Sequence, residues 1–137
     1  MHDYANAYFT YHNPMLYRIK DQADNLCILA VSAAVLDICD CIVSDRNAAT
    51  DLVRFYSAED GINRLNYEKI YAKYWNKGSY FEQRNSKAIK CAEVLVPDCI
   101  PYDYVVGACV ASNEAAEKLR ECCFDREIIV KSSVFYR

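Results

Sequence analysis

The chain has 137 residues, enough for one compact domain, and its composition of 53% hydrophobic and 26% charged residues predicts a folded core rather than disorder. Its apolar runs fall far short of a membrane span and nothing near Met1 reads as a signal peptide, so a soluble, cytoplasmic protein with no membrane partner is expected. The net charge of −3 does not announce a nucleic-acid binder, but the charge is unevenly spread. Six basic residues (Lys69, Lys73, Lys77, Arg84, Lys87, Lys90) stand against one acid, Glu82, so that window carries +5 and the rest of the chain −8.

Alternation over 4–11 suggests a strand that stops at Asn13-Pro14, where proline disfavours a helical Asn13. The apolar run 26–32 reads as a strand buried on both faces, followed by a turn of helix over 33–36 and a short strand over 41–43. Ser57 with Asp60 resembles a capping box opening a helix to Leu65. Asn66 then caps a second helix, in which Tyr67, Ile70, Tyr71, Tyr74 and Trp75 fall on one stripe and are expected in the core. Residues 77–87 are expected to form a loop, with Tyr80 and Phe81 as candidates for exposure. Strands follow at 92–96 and 104–111. Ser112 caps a helix with Ala115, Leu119 and Cys122 on one face, and strands at 127–131 and 134–136 close the chain. Short strands interrupted by a few helices make an α+β domain.

Among the eight cysteines there is no C-x-x-C pair, and the only histidines are His2 and His12. Zinc-ligand spacing is therefore missing, no metal is expected, and the cysteines read as reduced, small buried hydrophobes. Aromatic residues interleaved with the basic window suit single-stranded nucleic acid, although a solvated helix face with aromatics in the core accounts for the same pattern. No nucleophile elbow, P-loop or dinucleotide-binding glycine motif is present, and His12 reads better as a turn residue than as a base.

Glu93 stands out, because it interrupts the apolar run Ala92-Glu93-Val94-Leu95-Val96-Pro97. It could sit on a wet face of its strand. The alternative is a catalytic carboxylate. Cleavage of an N-glycosidic bond to a cationic leaving group places positive charge on the sugar, and a fixed carboxylate can stabilise that charge and accept a proton from a weak nucleophile.

Three ordered stretches carry a resemblance. They are Tyr8-Phe9-Thr10-Tyr11-His12-Asn13-Pro14-Met15-Leu16-Tyr17; Asp45-Arg46-Asn47-Ala48-Ala49 followed by Arg54-Phe55-Tyr56; and Lys90-Cys91-Ala92-Glu93-Val94-Leu95-Val96-Pro97, with Trp75-Asn76 between the last two. Together they resemble segments of the DarT family of DNA ADP-ribosyltransferase toxins. The resemblance implies an ADP-ribosyltransferase-like mixed or antiparallel sheet core with flanking short helices, forming a single domain over 1–137. It implies transfer of ADP-ribose from NAD to a base in single-stranded DNA, with Glu93 as the catalytic glutamate. Tyr8 and Met15 would lie near the NAD or base pocket. Residues 77–90 would form the substrate-recognition loop, with Arg84, Lys87 and Lys90 as DNA contacts, and Asn47 and Arg54 would position base or backbone. A macrodomain antitoxin is the implied protein partner.

Two departures qualify the resemblance. Cys91 stands where many ADP-ribosyltransferases have Gln or Glu, two residues before the catalytic Glu. The family's N-terminal part, which supplies an early histidine motif and a catalytic arginine, has no counterpart before Tyr4. The expected function is therefore a toxin-type DNA ADP-ribosyltransferase, active if the N-terminal part is supplied. The alternative is a catalytically incomplete DarT-like domain that binds DNA or an antitoxin.

Overall fold

A computed structural model describes residues 3–136. The strands are β1 (Tyr4–Tyr8), β2 (Ile28–Val31), β3 (Ile42–Ser44), β4 (Phe55–Ser57), β5 (Glu93–Pro97), β6 (Val105–Val110) and β7 (Glu127–Val130). The α-helices are α1 (Pro14–Arg18), α2 (Ala58–Gly61), α3 (Tyr67–Ile70), α4 (Tyr80–Lys90) and α5 (Asn113–Glu121). They fall into two compact units, one holding residues up to 14 and 33–100, the other holding 15–32 and 101 onward. The α+β class with antiparallel and mixed sheets is as expected.

The first unit is built on an antiparallel sheet in the order β1-β5-β3-β4. Its centre is β5, paired on both sides and buried from Glu93 to Val96, which is why its sequence is apolar without alternation. Strand β1 stops at Tyr8 rather than continuing to Tyr11. The next residues bond locally instead: the Asn13 side chain donates to the Thr10 carbonyl at 2.6 Å and the His12 amide donates to Thr10 Oγ1 at 3.2 Å. Side chains of this kind offer the backbone an alternative to the ladder. Strand β4, unanticipated in sequence, pairs with β3 across the loop 45–54. Gly61 ends α2 against this hairpin, where a Cβ would come within 2.3 Å of Val43 Cγ2.

The helices depart most from expectation. Ser57 caps α2 as anticipated, but the helix lasts one turn. Asn66 likewise caps α3, its Oδ1 accepting from the Lys69 amide at 3.1 Å, yet the stripe to Trp75 is not helical beyond Ile70. Side chains take the carbonyls that a longer helix would use. Lys90 Nζ donates to the Ile70 and Ala72 carbonyls at 2.8 and 2.6 Å, and His12 Nε2 donates to that of Lys73 at 2.6 Å. Tyr71 and Tyr74 are consequently exposed, not core. The expected loop 77–87 is instead largely α4. Ser79 and Glu82 form a reciprocal capping box, at 3.2 and 3.4 Å, just after Gly78 at φ +88°. Tyr80 and Phe81 are exposed, at 79% and 78%, on the first turn of that helix.

The second unit has a three-stranded sheet in the order β2-β6-β7, with β2 antiparallel and β7 parallel to β6. Strand β2 is an edge, and Leu29 and Ala30 are exposed, so the run 26–32 is not buried on both faces. Ser112 caps α5 as expected, accepting from the Ala115 amide at 3.1 Å. Cys122 lies beyond that helix and is exposed, so the apolar face ends at Leu119. In place of a strand over 134–136 there is a 3-10 turn, Ser132–Phe135, that buries Phe135 against Ala23 and Ala111. None of the eight cysteines is bonded to another, and five of them (Cys27, Cys39, Cys99, Cys122, Cys123) are exposed rather than buried. Among the described residues no helix is long and apolar enough to cross a membrane.

Candidate active site

Glu93 opens β5 and is 5% exposed, which removes the wet-face reading. Its Oε1 accepts from Asn6 Nδ2 and its Oε2 from the Ala48 amide, each at 2.7 Å. Its own amide donates to Ser44 Oγ at 3.0 Å, and that hydroxyl donates to the Arg46 carbonyl at 2.7 Å. The 2.7 Å contacts are in the short range of charge-assisted bonds. Each carboxylate oxygen keeps a further lone pair, so the group is fixed without being saturated. Among the described residues no cationic side chain forms an ion pair with it. A buried carboxylate held only by neutral donors is suited to compensate a positive charge that arrives with a ligand.

The loop 45–54 aims the Ala48 amide. Asp45 and Arg54 close it: the Arg54 amide donates to Asp45 Oδ1 at 2.9 Å and the Asp45 amide to the Arg54 carbonyl at 3.1 Å. Asn47 makes an Asx turn, its Oδ1 accepting from the Ala49 amide at 2.9 Å, which leaves the intervening Ala48 N–H to turn inward to Glu93. The Asn47 amide donates to the Ala88 carbonyl at 2.9 Å, and Arg46 donates to Asn85 Oδ1 at 3.2 Å. Both contacts tie the loop to α4, the helix that leads into β5.

Around this centre the expected site residues separate. Tyr8 lies directly opposite Glu93 in the β1–β5 pairing and is partly exposed. Burial, then the nearby Glu93 carboxylate and Cys91, push its phenol above the usual range, so it stays a neutral hydroxyl. Arg84 and Lys87, three apart on α4, are exposed, as is Arg54, while Asn47 is half-buried with its side-chain oxygen engaged. Lys90 requires correction as a DNA contact. It is 1% exposed, its ammonium is held by the Ile70 and Ala72 carbonyls, and it lies 5.8 Å from the Trp75 ring. His12 contacts the same ring, with centroids 5.1 Å apart. Met15 belongs to the second unit, on α1. Cys91 is buried where α4 ends, its amide donating to the Ala88 carbonyl at 3.2 Å. Among the described residues no cluster of three His, Cys, Asp or Glu could hold a metal; His2 lies outside them.

Sequence reasoning missed Asn6, Ser44 and the Ala48 amide. Asn6 looked like any polar residue on an alternating strand, and only the strand register brings it beside Glu93. The main-chain donor of Ala48 carries no side-chain signal at all.

The fold is shared with solved DarT structures. The structure of Thermus sp. 2.9 DarT in complex with carba-NAD+ matches with a TM-score of 0.84, over 98% of this chain and 74% of that one, at 21% identity. The same enzyme in complex with ADP-ribosylated ssDNA matches with a TM-score of 0.83, over 98% and 69%, at 22% identity. The profile described as "ssDNA thymidine ADP-ribosyltransferase, DarT" matches residues 1–136, and the chain belongs to the DarT family. A DNA ADP-ribosyl transferase-DNA ADP-ribosyl glycohydrolase fusion protein of Thermosipho africanus is 32% identical over 132 residues, covering 93% of this chain and 33% of that protein. A DNA ADP-ribosyl transferase of Thermus aquaticus is 30% identical over 114 residues, covering 77% and 48%. The chain thus spans between a third and a half of the length of these relatives.

Proposed function

We propose that this chain carries the glutamate-bearing part of a site that transfers ADP-ribose from NAD to thymine in single-stranded DNA. The observation that carries the reading is the buried Glu93 carboxylate, fixed through both oxygens by neutral donors. In the reaction the bond between ribose and nicotinamide breaks, the electron pair leaves with nicotinamide, and positive charge builds on the sugar. Glu93 stabilises that charge and accepts a hydrogen bond from a ribose hydroxyl. As the new bond to the base forms, the same carboxylate takes the proton that the base gives up. One preorganised contact of this kind is worth about 3 kcal/mol, or two to three powers of ten in rate. Arg84 and Lys87 on α4 supply positive charge for the phosphate backbone, with Arg54 as a third exposed cation.

The Thermosipho relative, whose name joins a DNA ADP-ribosyl transferase to a glycohydrolase in one chain, supports a partner that removes ADP-ribose and so a toxin–antitoxin role. Incubation with labelled NAD and single-stranded oligonucleotides with and without thymine tests the transfer. Label on the thymine-containing strands alone is expected; no label on any strand, either from this chain or from a version extended with the family's N-terminal part, overturns the enzyme reading. A second reading, a DNA-binding module, is favoured by the exposed Arg84 and Lys87. Salt-sensitive DNA retention without transfer, indifferent to Glu93, would select it.

A further inference from the structure

Asn6 has no role in the expectations above, yet it makes the direct side-chain contact to Glu93. The carboxylate can only accept hydrogen bonds, so the bond at 2.7 Å assigns the amide without ambiguity, with Nδ2 turned to Glu93 and Oδ1 turned away. Asn6 is exposed on β1, and it shares a strand face with Tyr8, whose register partner is Glu93 itself. The second carboxylate oxygen is held by a main-chain amide, which every side-chain substitution at Ala48 except proline leaves in place. Asn6 is thus the one contributor of a side-chain hydrogen bond to this carboxylate among the described residues.

We propose that Asn6 is a positioning residue for the transfer reaction, holding the Glu93 carboxylate in the one orientation from which it faces the sugar. The inference rests on the reading of Glu93 as the catalytic group. A neutral amide suits the task because it fixes the anion without neutralising it. A lysine or arginine at this place would satisfy the carboxylate and oppose the positive charge building on the sugar, whereas an aspartate would repel the carboxylate. Loss of one hydrogen bond to a charged group corresponds to roughly a ten- to hundredfold fall in rate.

The test compares Asn6→Ala, Asn6→Asp and Glu93→Gln with the unaltered chain, each assayed for kcat and KM toward NAD with a thymine-containing single strand and each melted in parallel. Asn6→Ala is expected to lose about ten- to hundredfold in kcat with little change in KM. Asn6→Asp is expected to lose more, although aspartate has the shape of asparagine. That order separates positioning from packing, since a residue that only fills space tolerates aspartate better than alanine. Both variants are expected to melt below the unaltered chain, Asn6→Asp further than Asn6→Ala, because each leaves the buried Glu93 carboxylate without its donor, so kcat is compared at a temperature below both transitions. If Glu93→Gln abolishes transfer while Asn6→Asp matches the unaltered chain, the role of Asn6 is refuted and the catalytic reading stands. If Glu93→Gln has no effect, or if neither the unaltered chain nor a version extended with the family's N-terminal part, in which the same variants are then compared, transfers ADP-ribose, the catalytic reading falls and the role of Asn6 with it.

Discussion

Lys90 holds α3 and α4 in register immediately before the strand that begins with Glu93, so its removal should be felt both in stability and at the site. In Lys90→Met the side chain keeps its length and loses its ammonium. Two hydrogen bonds from a charged donor disappear, at 2.8 and 2.6 Å, each worth about 1.5–3 kcal/mol when removed. Against this, the variant no longer buries an ammonium, a cost of several kcal/mol in its own right. The balance is a net loss of about 1–3 kcal/mol. At about 3–5 °C per kcal/mol for a chain of this length, melting should fall by roughly 3–15 °C.

The loss should also depend on pH. Burial first of all holds the Lys90 ammonium below its usual range, against a lesser opposing effect from Cys91. Between that lowered value and about 10.5 the unfolded chain binds more protons than the folded one, so the unaltered chain gains stability as pH rises through the window. Lys90→Met has no such contribution, and its deficit should widen from pH 7 toward pH 10. Chemical denaturation of both chains at the two pH values measures this directly. A variant as stable as the unaltered chain at pH 7, with a difference that does not grow by pH 10, would refute the account of Lys90.

Three further substitutions probe the support of Glu93 and the exposed cations of α4. Ser44→Ala leaves the buried Glu93 amide without its partner and frees the Arg46 carbonyl, so a loss of about 1–3 kcal/mol in urea denaturation is expected, accompanied by lower transfer activity. Arg84→Glu and Lys87→Glu, both on the exposed face of α4, should weaken single-strand binding at all sequences and lower the salt slope of the affinity by about one per cation removed, without changing stability. Fluorescence anisotropy at several salt concentrations checks this, and an unchanged slope would place the DNA elsewhere.

What the sequence made legible was the backbone arithmetic around Glu93: the central strand, and the caps at Ser57, Asn66 and Ser112, each of which depends on residues within three or four positions. The errors arose where distant side chains overrode local pattern. The stripe from Tyr67 to Trp75 has helical spacing, and only Lys90 and His12, far off in sequence, explain why its carbonyls are taken before the helix can continue. The basic window carries the composition of a loop, whereas the Ser79–Glu82 capping box within it starts a helix. Lys90 is a DNA contact in what the resemblance implies, but charge is visible in sequence and burial of a charge is not. In the site itself the glutamate could be found, but its partners could not. Asn6 lies 87 residues away and meets Glu93 only through strand pairing, and Ala48 contributes a main-chain amide that any residue but proline would carry.

The central claim is that the fixed carboxylate of Glu93 performs the transfer. Glu93→Gln keeps the shape and removes the charge, and its rate can be read from incorporation of labelled ADP-ribose into a thymine-containing single strand. The account predicts a fall of about a hundred- to a thousandfold with DNA affinity retained. Transfer within a factor of about three of the unaltered chain would contradict it.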